Sequence, residues 1–295
     1  MALRLRLRPY LVPFYVSALL PWTTGCDLSD GYVEREEKRF TVTGKPEIDL
    51  SNVDGAIELR SWDRPEILVV LEKRARDKQA TAAIEVRAEQ NGNRIVVDVK
   101  RPQFDGLFFD AASVRLIVSL PEVSDVHARS GDGSIVAERL SGSIDLQTGD
   151  GSIRARTLSG AVKAGAGDGS IDLDDIDGRV DVAAGDGSIR VAGKLTSVRA
   201  HTGDGSVTVH VAPGSAPDAD WDVATGDGSV RLELPDGFGA DLDARAGDGS
   251  VHLQGITLSS RTGEMARNAA RGRIGEGGRT IRVRTGDGSV IVWLF

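Results

Sequence analysis

The chain has 295 residues, 40% of them apolar and only 5% aromatic, with a formal charge of -8 at pH 7. An acidic chain lacks the positive field that gathers nucleic acid or anionic lipid, so neither is expected as a partner through net charge. The single cysteine, Cys26, excludes an internal disulfide and leaves the fold to burial and backbone hydrogen bonding.

At the N-terminus Arg4, Arg6 and Arg8 precede an apolar, nearly charge-free stretch from Tyr10 to Trp22, interrupted by Pro13 and Pro21. A membrane span needs roughly 20 apolar residues. This shorter run behind a basic start reads as a secretory signal over residues 1–25. It leads into Thr23-Thr24-Gly25-Cys26, which resembles a bacterial lipobox with Thr23 where Leu is usual. The resemblance implies lipidation at Cys26, hence a chain exported to the bacterial cell envelope and held at the membrane by an acylated cysteine. Asp27 follows the cysteine, and residues 26–45 read as a polar tether.

Residues 46–125 read as an irregular N-terminal β part. Glu47 to Leu50 and Asp54 to Leu59 alternate with period two around an Asp-Gly turn and look like a degenerate copy of the later repeat. Ser61 to Pro65 is a turn, because proline biases the residue before it away from helix. Strands are expected at Glu66 to Glu72, Ile84 to Ala88, Arg94 to Lys100 and Val114 to Leu120. Residues 75–83 hold good helix formers and no β-branched run, which predicts one short helix. Residues 102–112, with Phe104, Leu107 and Phe108, read as a loop packed on the first coils.

Residues 126–295 are built on a repeat. Gly-Asp-Gly-Ser followed by Ile or Val occurs eight times, and the first five copies, from Gly131 to Gly203, are spaced by 18 residues. The last three begin at Gly226, Gly247 and Gly286, with insertions expected at 212–221 and 257–279. Between tetrapeptides two short strands alternate: Ile153, Ala155, Val162 and Ala164 share the inward face, while Arg154, Arg156 and Lys163 face out. Like stacks on like, which predicts an all-β fold: a parallel β-solenoid of 18-residue coils, right-handed by the general bias of parallel crossovers. The apolar residues of Val290 to Phe295 lie on both faces of a last strand, so the terminal coil is expected to be covered by residues 257–279.

Two readings of the tetrapeptide stand side by side. As a structural corner, its glycines supply positive φ or close backbone approach, and its aspartate bonds local amides in an Asx-turn. As a cation file, Asp132, Asp150, Asp168, Asp186, Asp204, Asp227, Asp248 and Asp287 would attract calcium, an ion that wants six to eight oxygens. The repeat lacks the double glycine of calcium-binding solenoids. No third glycine completes a dinucleotide fingerprint, and no Gly-x-Ser-x-Gly elbow occurs. His127, His201, His210 and His252 fall in separate coils without zinc spacing, and the last three are expected to point outward. A polysaccharide-cleaving helix would need a cleft built from irregular loops. The candidates are Glu264, Arg267, Arg271, Arg273 and Glu276 in the second insertion, with Trp221 beside the first reading as core.

These features together resemble domain-of-unknown-function family 4097, a bacterial family of β-strand repeats that carries an adhesin label. The residues concerned are Val53 to Ile57, Trp62 to Pro65, the short helix, Val118 to Pro121, the repeated Gly-Asp-Gly-Ser-Ile, and Gly275 to Gly278 before Ile281. The resemblance implies a β-helical cell-envelope protein with no established activity and supplies no catalytic residues; apart from the calcium reading of the aspartate file, no cofactor is expected. The expected function is non-enzymatic, adhesive or structural, with an envelope polysaccharide or protein as partner; the alternatives are a polysaccharide-binding or -cleaving helix and a self-assembling scaffold.

Overall fold

The computed structural model describes residues 31–100, 112–259 and 266–295, which form eighteen strands and one short helix. The N-terminal part comprises β1 (Tyr32–Thr41), β2 (Glu47–Asn52), β3 (Ile57–Trp62), β4 (Glu66–Ala75), α1 (Lys78–Ala82), β5 (Glu85–Asn91), β6 (Arg94–Lys100) and β7 (Ser113–Pro121). The repeat region continues with β8 (Asp125–Ser130), β9 (Ile135–Thr148), β10 (Ile153–Ala166), β11 (Ile171–Ala184), β12 (Ile189–Thr202) and β13 (Val207–Val211). It closes with β14 (Trp221–Asp227), β15 (Val230–Leu234), β16 (Ala240–Gln254), β17 (Ala269–Ile274) and β18 (Thr280–Leu294). The expected signal, Cys26, and Phe104, Leu107 and Phe108 lie outside the described residues.

Strands β9 to β12 each bend once. In β10, Ile153 and Ala155 are buried on the first limb, and Val162 and Ala164 on the second. Between them Thr157 takes φ 54 and Gly160 φ 108, and the bend turns Leu158 inward as a further core residue that strict alternation does not foresee. Arg139 and Asp175 hold the same place in neighbouring coils, at φ 53 and 55, while in β12 the register shifts and Gly193, at φ 148, stands opposite Ile176. Side chains there pay the steric cost of the left-handed region, about 1–2 kcal/mol each.

Parallel pairing puts like on like. Ile57, Ile135, Ile153, Ile171, Ile189, Val207 and Val230 are successive partners along one ladder, and they share a single continuous core with the second-limb residues. The pairing of Ile57 with Ile135, and of β2 with β8, makes residues 47–62 a full member of the stack.

Three expectations are corrected. Residues 32–41 are not tether: β1 pairs antiparallel with β4 along its whole length, from Tyr32 opposite Ala75 to Thr41 opposite Glu66. Its composition is polar because it completes the main-chain hydrogen bonding of β4, and ion pairs such as Lys73 to Glu36 at 3.1 Å replace burial. The sheet is also not uniformly parallel, since β4–β7, β5–β6 and β16–β17 are antiparallel. The charged β1 and β5 pair on one side only among the described residues, and β17 lies along β16 with its far side bridged at Arg273 by Ser259; all three blunt the edges that a parallel stack would expose.

Strand β18 does not form the terminal coil; it lies between β14–β15 and β16, with Val290 opposite both Val230 and Val251. The 257–279 segment does cover the outermost coil, but that coil is β16 and the cover is a strand, since residues 269–274 form β17 on the outer edge of β16.

Candidate functional site

The tetrapeptide corners stack as one column along the solenoid. Gly149 donates its N–H to the Gly131 carbonyl at 2.7 Å, and Gly167, Gly185 and Gly203 repeat that bond at the same length to the glycine one coil earlier. A β-carbon on Gly149 would lie 2.7 Å from the Gly131 carbonyl oxygen. Close approach is therefore what the glycines are for; a positive φ within the tetrapeptide occurs only at Gly288, with φ 136.

The residue before the tetrapeptide takes part, which the sequence reading missed. The hydroxyl of Thr148 donates to the Gly133 carbonyl at 2.8 Å, Thr202 to Gly187 at 2.7 Å, Thr225 to Gly205 at 2.6 Å and Thr285 to Gly228 at 2.6 Å. These threonines are buried among the corners. Thr202→Val keeps the shape and removes the donor, so a loss of about 1–2 kcal/mol is expected in urea denaturation. An unchanged midpoint would show the hydroxyl to be dispensable.

The aspartates of the column are exposed. Among the described residues, Asp150, Asp168, Asp186, Asp204, Asp227, Asp248 and Asp287 make no side-chain hydrogen bond or ion pair, so the Asx-turn expected for them is absent. The spatial order follows the stack, not the chain: Asp287 stands between Asp227 and Asp248. No three of these carboxylates converge, since the one described trio of His, Asp and Glu ligand atoms within 4.8 Å of one another is Glu47, Asp49 and His127. Unit charges about 5 Å apart repel by roughly 0.8 kcal/mol even in water. Replacing both Asp168 and Asp186 by Asn is expected to raise the melting temperature in low salt, with the gain shrinking in about 0.5 M NaCl. A lower melting temperature in both salts would mean that the carboxylates hold the corner.

The outer face of the second limb carries a row that no chain-order reading reveals. Successive partners across ten strands are Asp49, His127, Asp145, Lys163, Asp181, Arg199, Asp222, Arg282, Asp243 and Arg271. Acid alternates with base, a permanent cation at every basic position except His127, and opposite charges across neighbouring strands are favourable by roughly 0.2–1 kcal/mol per pair. Arg271 reaches Asp243 at 2.5 Å and Arg199 reaches Asp181 at 3.6 Å. Burial pushes the Asp243 carboxyl up, but the hydrogen bond from Arg271 and the charge of Arg245 outweigh it and hold the group below the usual aspartate range.

The candidates for a cleft do not gather. Arg271 and Arg273 on β17 pair with Asp243 and Asp241 of β16, Arg267 and Glu276 are exposed, and Glu264 lies outside the described residues. Trp221 is fully buried, and its indole N–H donates to the Thr196 carbonyl at 3.3 Å. His201, His210 and His252 face outward; His210 bonds Glu233 at 2.8 Å and stacks on Phe295. A cavity lined by Asn52, Ile84, Val99 and Val114 holds about 20 Å³, room for a water molecule and not for a sugar ring.

No curated protein matches this sequence. Similar solved structures include a protein provisionally named a lipid binding protein from Parabacteroides distasonis, 12% identical, with TM-score 0.41 over 88% of this chain and 96% of that one. A protein provisionally named an adhesin from Bacteroides fragilis is 11% identical, with TM-score 0.39 over 89% and 97%. One provisionally named a cell adhesion protein from Clostridium sporogenes is 13% identical, with TM-score 0.30 over 90% and 100%. The Toastrack DUF4097 family model matches residues 45–292, from just before the Asp54-Gly55 corner to near the end of the inserted β18. With the match running through every stacked corner, the chain belongs to the Toastrack DUF4097 family.

Proposed function

We propose that the protein is a non-enzymatic interaction module of the bacterial cell envelope, tethered to the membrane through a lipidated Cys26 and engaging its partner by adhesion. In this reading the body is a right-handed solenoid of 18-residue coils, the hand following the general bias of parallel crossovers. The observation that carries the reading is the alternating row from Asp49 to Arg271: an extended, regular, charged face on a rigid frame suits recognition of a large partner. Catalysis would instead need acids and bases converging around a substrate-sized hollow.

The test has two arms. In a bacterial host the protein is expected in the membrane fraction, and Cys26→Ser is expected to release it; a variant that stays in the membrane overturns the lipid anchor. On an array of envelope polysaccharides and proteins, binding without turnover is expected and should weaken when Asp181, Arg199 and Asp222 are replaced together by Ser. Cleavage of a bound polysaccharide would overturn the non-enzymatic reading.

A further inference from the structure

The alternating row departs from its rule at one place. Lys163, Arg199, Arg282 and Arg271 occupy the basic positions, but the position between Asp49 and Asp145 is held by His127, an imidazole with no permanent charge. Glu47 stands two residues before Asp49 on the same outward face of β2. One ligand atom from each of Glu47, Asp49 and His127 falls within 4.8 Å of the others, and on the far side Asp145 brings an oxygen to 3.8 Å from His127 Nδ1. This is a mixed imidazole and carboxylate set on three adjacent, hydrogen-bonded strands, not an acidic patch on a loop.

We propose that Glu47, Asp49 and His127, supported by Asp145, form a binding site for a divalent cation of the zinc type, which supplies the positive charge that the row lacks at His127. The donor set is right for such an ion: imidazole nitrogen suits borderline metals such as zinc, and carboxylates complete a coordination shell at about 2.0–2.2 Å. Calcium, which takes oxygen ligands, gains little from the imidazole. Arg94 holds the two carboxylates of β2, reaching Asp49 at 2.6 Å and Glu47 at 3.3 Å. The guanidinium is the metal's competitor. Arg94 is half-exposed at the end of β6 and can swing into solvent when the ion enters, so its removal should favour binding.

The test is a titration of the protein with zinc chloride at pH 7.5, followed by calorimetry and by the shift in melting temperature. One equivalent is expected to bind and to raise the melting temperature. His127→Ala and, independently, Asp49→Asn should each weaken binding at least tenfold, while His252→Ala, far along the stack, leaves it unchanged. Arg94→Gln should tighten it several-fold, an effect that a merely structural role for Arg94 would not produce. The proposal is overturned if zinc binds the His127→Ala protein as tightly as the parent, if Arg94→Gln fails to tighten binding, or if no saturable binding occurs with the parent. All three positions face outward, and an unchanged circular dichroism spectrum for each variant separates loss of the site from loss of the fold.

Discussion

Gly169→Ala is expected to cost on the order of 3 kcal/mol or more, although it adds a single methyl group. Its β-carbon would lie 2.5 Å from the Gly151 carbonyl carbon, nearer still to the oxygen, and 3.0 Å from the Ser152 nitrogen. All of these are main-chain atoms fixed by the ladder between coils, so no side chain can move aside. Gly165→Ala is the control, because the three atoms nearest its new β-carbon all belong to the tip of the Gln147 side chain, which can rotate away. That variant should change stability by less than about 0.5 kcal/mol. Urea denaturation of the pair decides the matter: equal midpoints would mean that the close stacking of corners does not limit the fold.

A chain ending at residue 279 is expected to lose the order of its last coils, not of its final strand alone. Strand β18 supplies the partner for β14 and β15 on one side and β16 on the other, and its Ile281, Val283, Val290 and Val292 are all fully buried. Each such side chain contributes roughly 1.5–3 kcal/mol by burial. In a solenoid, stability is close to a sum over neighbouring units, so the damage should stay local. Hydrogen exchange should show protection lost throughout β14 to β17 and retained in β9 to β11. Retained protection in β16 would contradict the inserted position of β18.

The inward residues of the regular coils were legible because period two and an 18-residue repeat both act there: Ile153, Ala155, Val162 and Ala164 are buried as their alternation requires. Leu158 was not legible, because the positive φ at Thr157 interrupts the alternation just before it. The hydroxyl stitch at Thr148 and Thr202 hid for another reason: the same position holds Ala166, Ala184 and Ala246 in other coils, so no invariant residue marks it. Strand β1 read as tether because its partner satisfies main-chain groups, which leave no hydrophobic signature.

The sequence by itself determined the unit: one corner tetrapeptide, one inward aliphatic set and a repeat too small to bury its own face alone. Only the tertiary structure decided the order of stacking. Every corner offers the same glycine carbonyl and the same glycine N–H, so each coil could accept several others as neighbour, and nothing local tells β18 to enter between β15 and β16. The same holds for the charged row, in which Asp49 meets His127 across 78 positions of chain because stacking, not spacing, sets cross-strand neighbours.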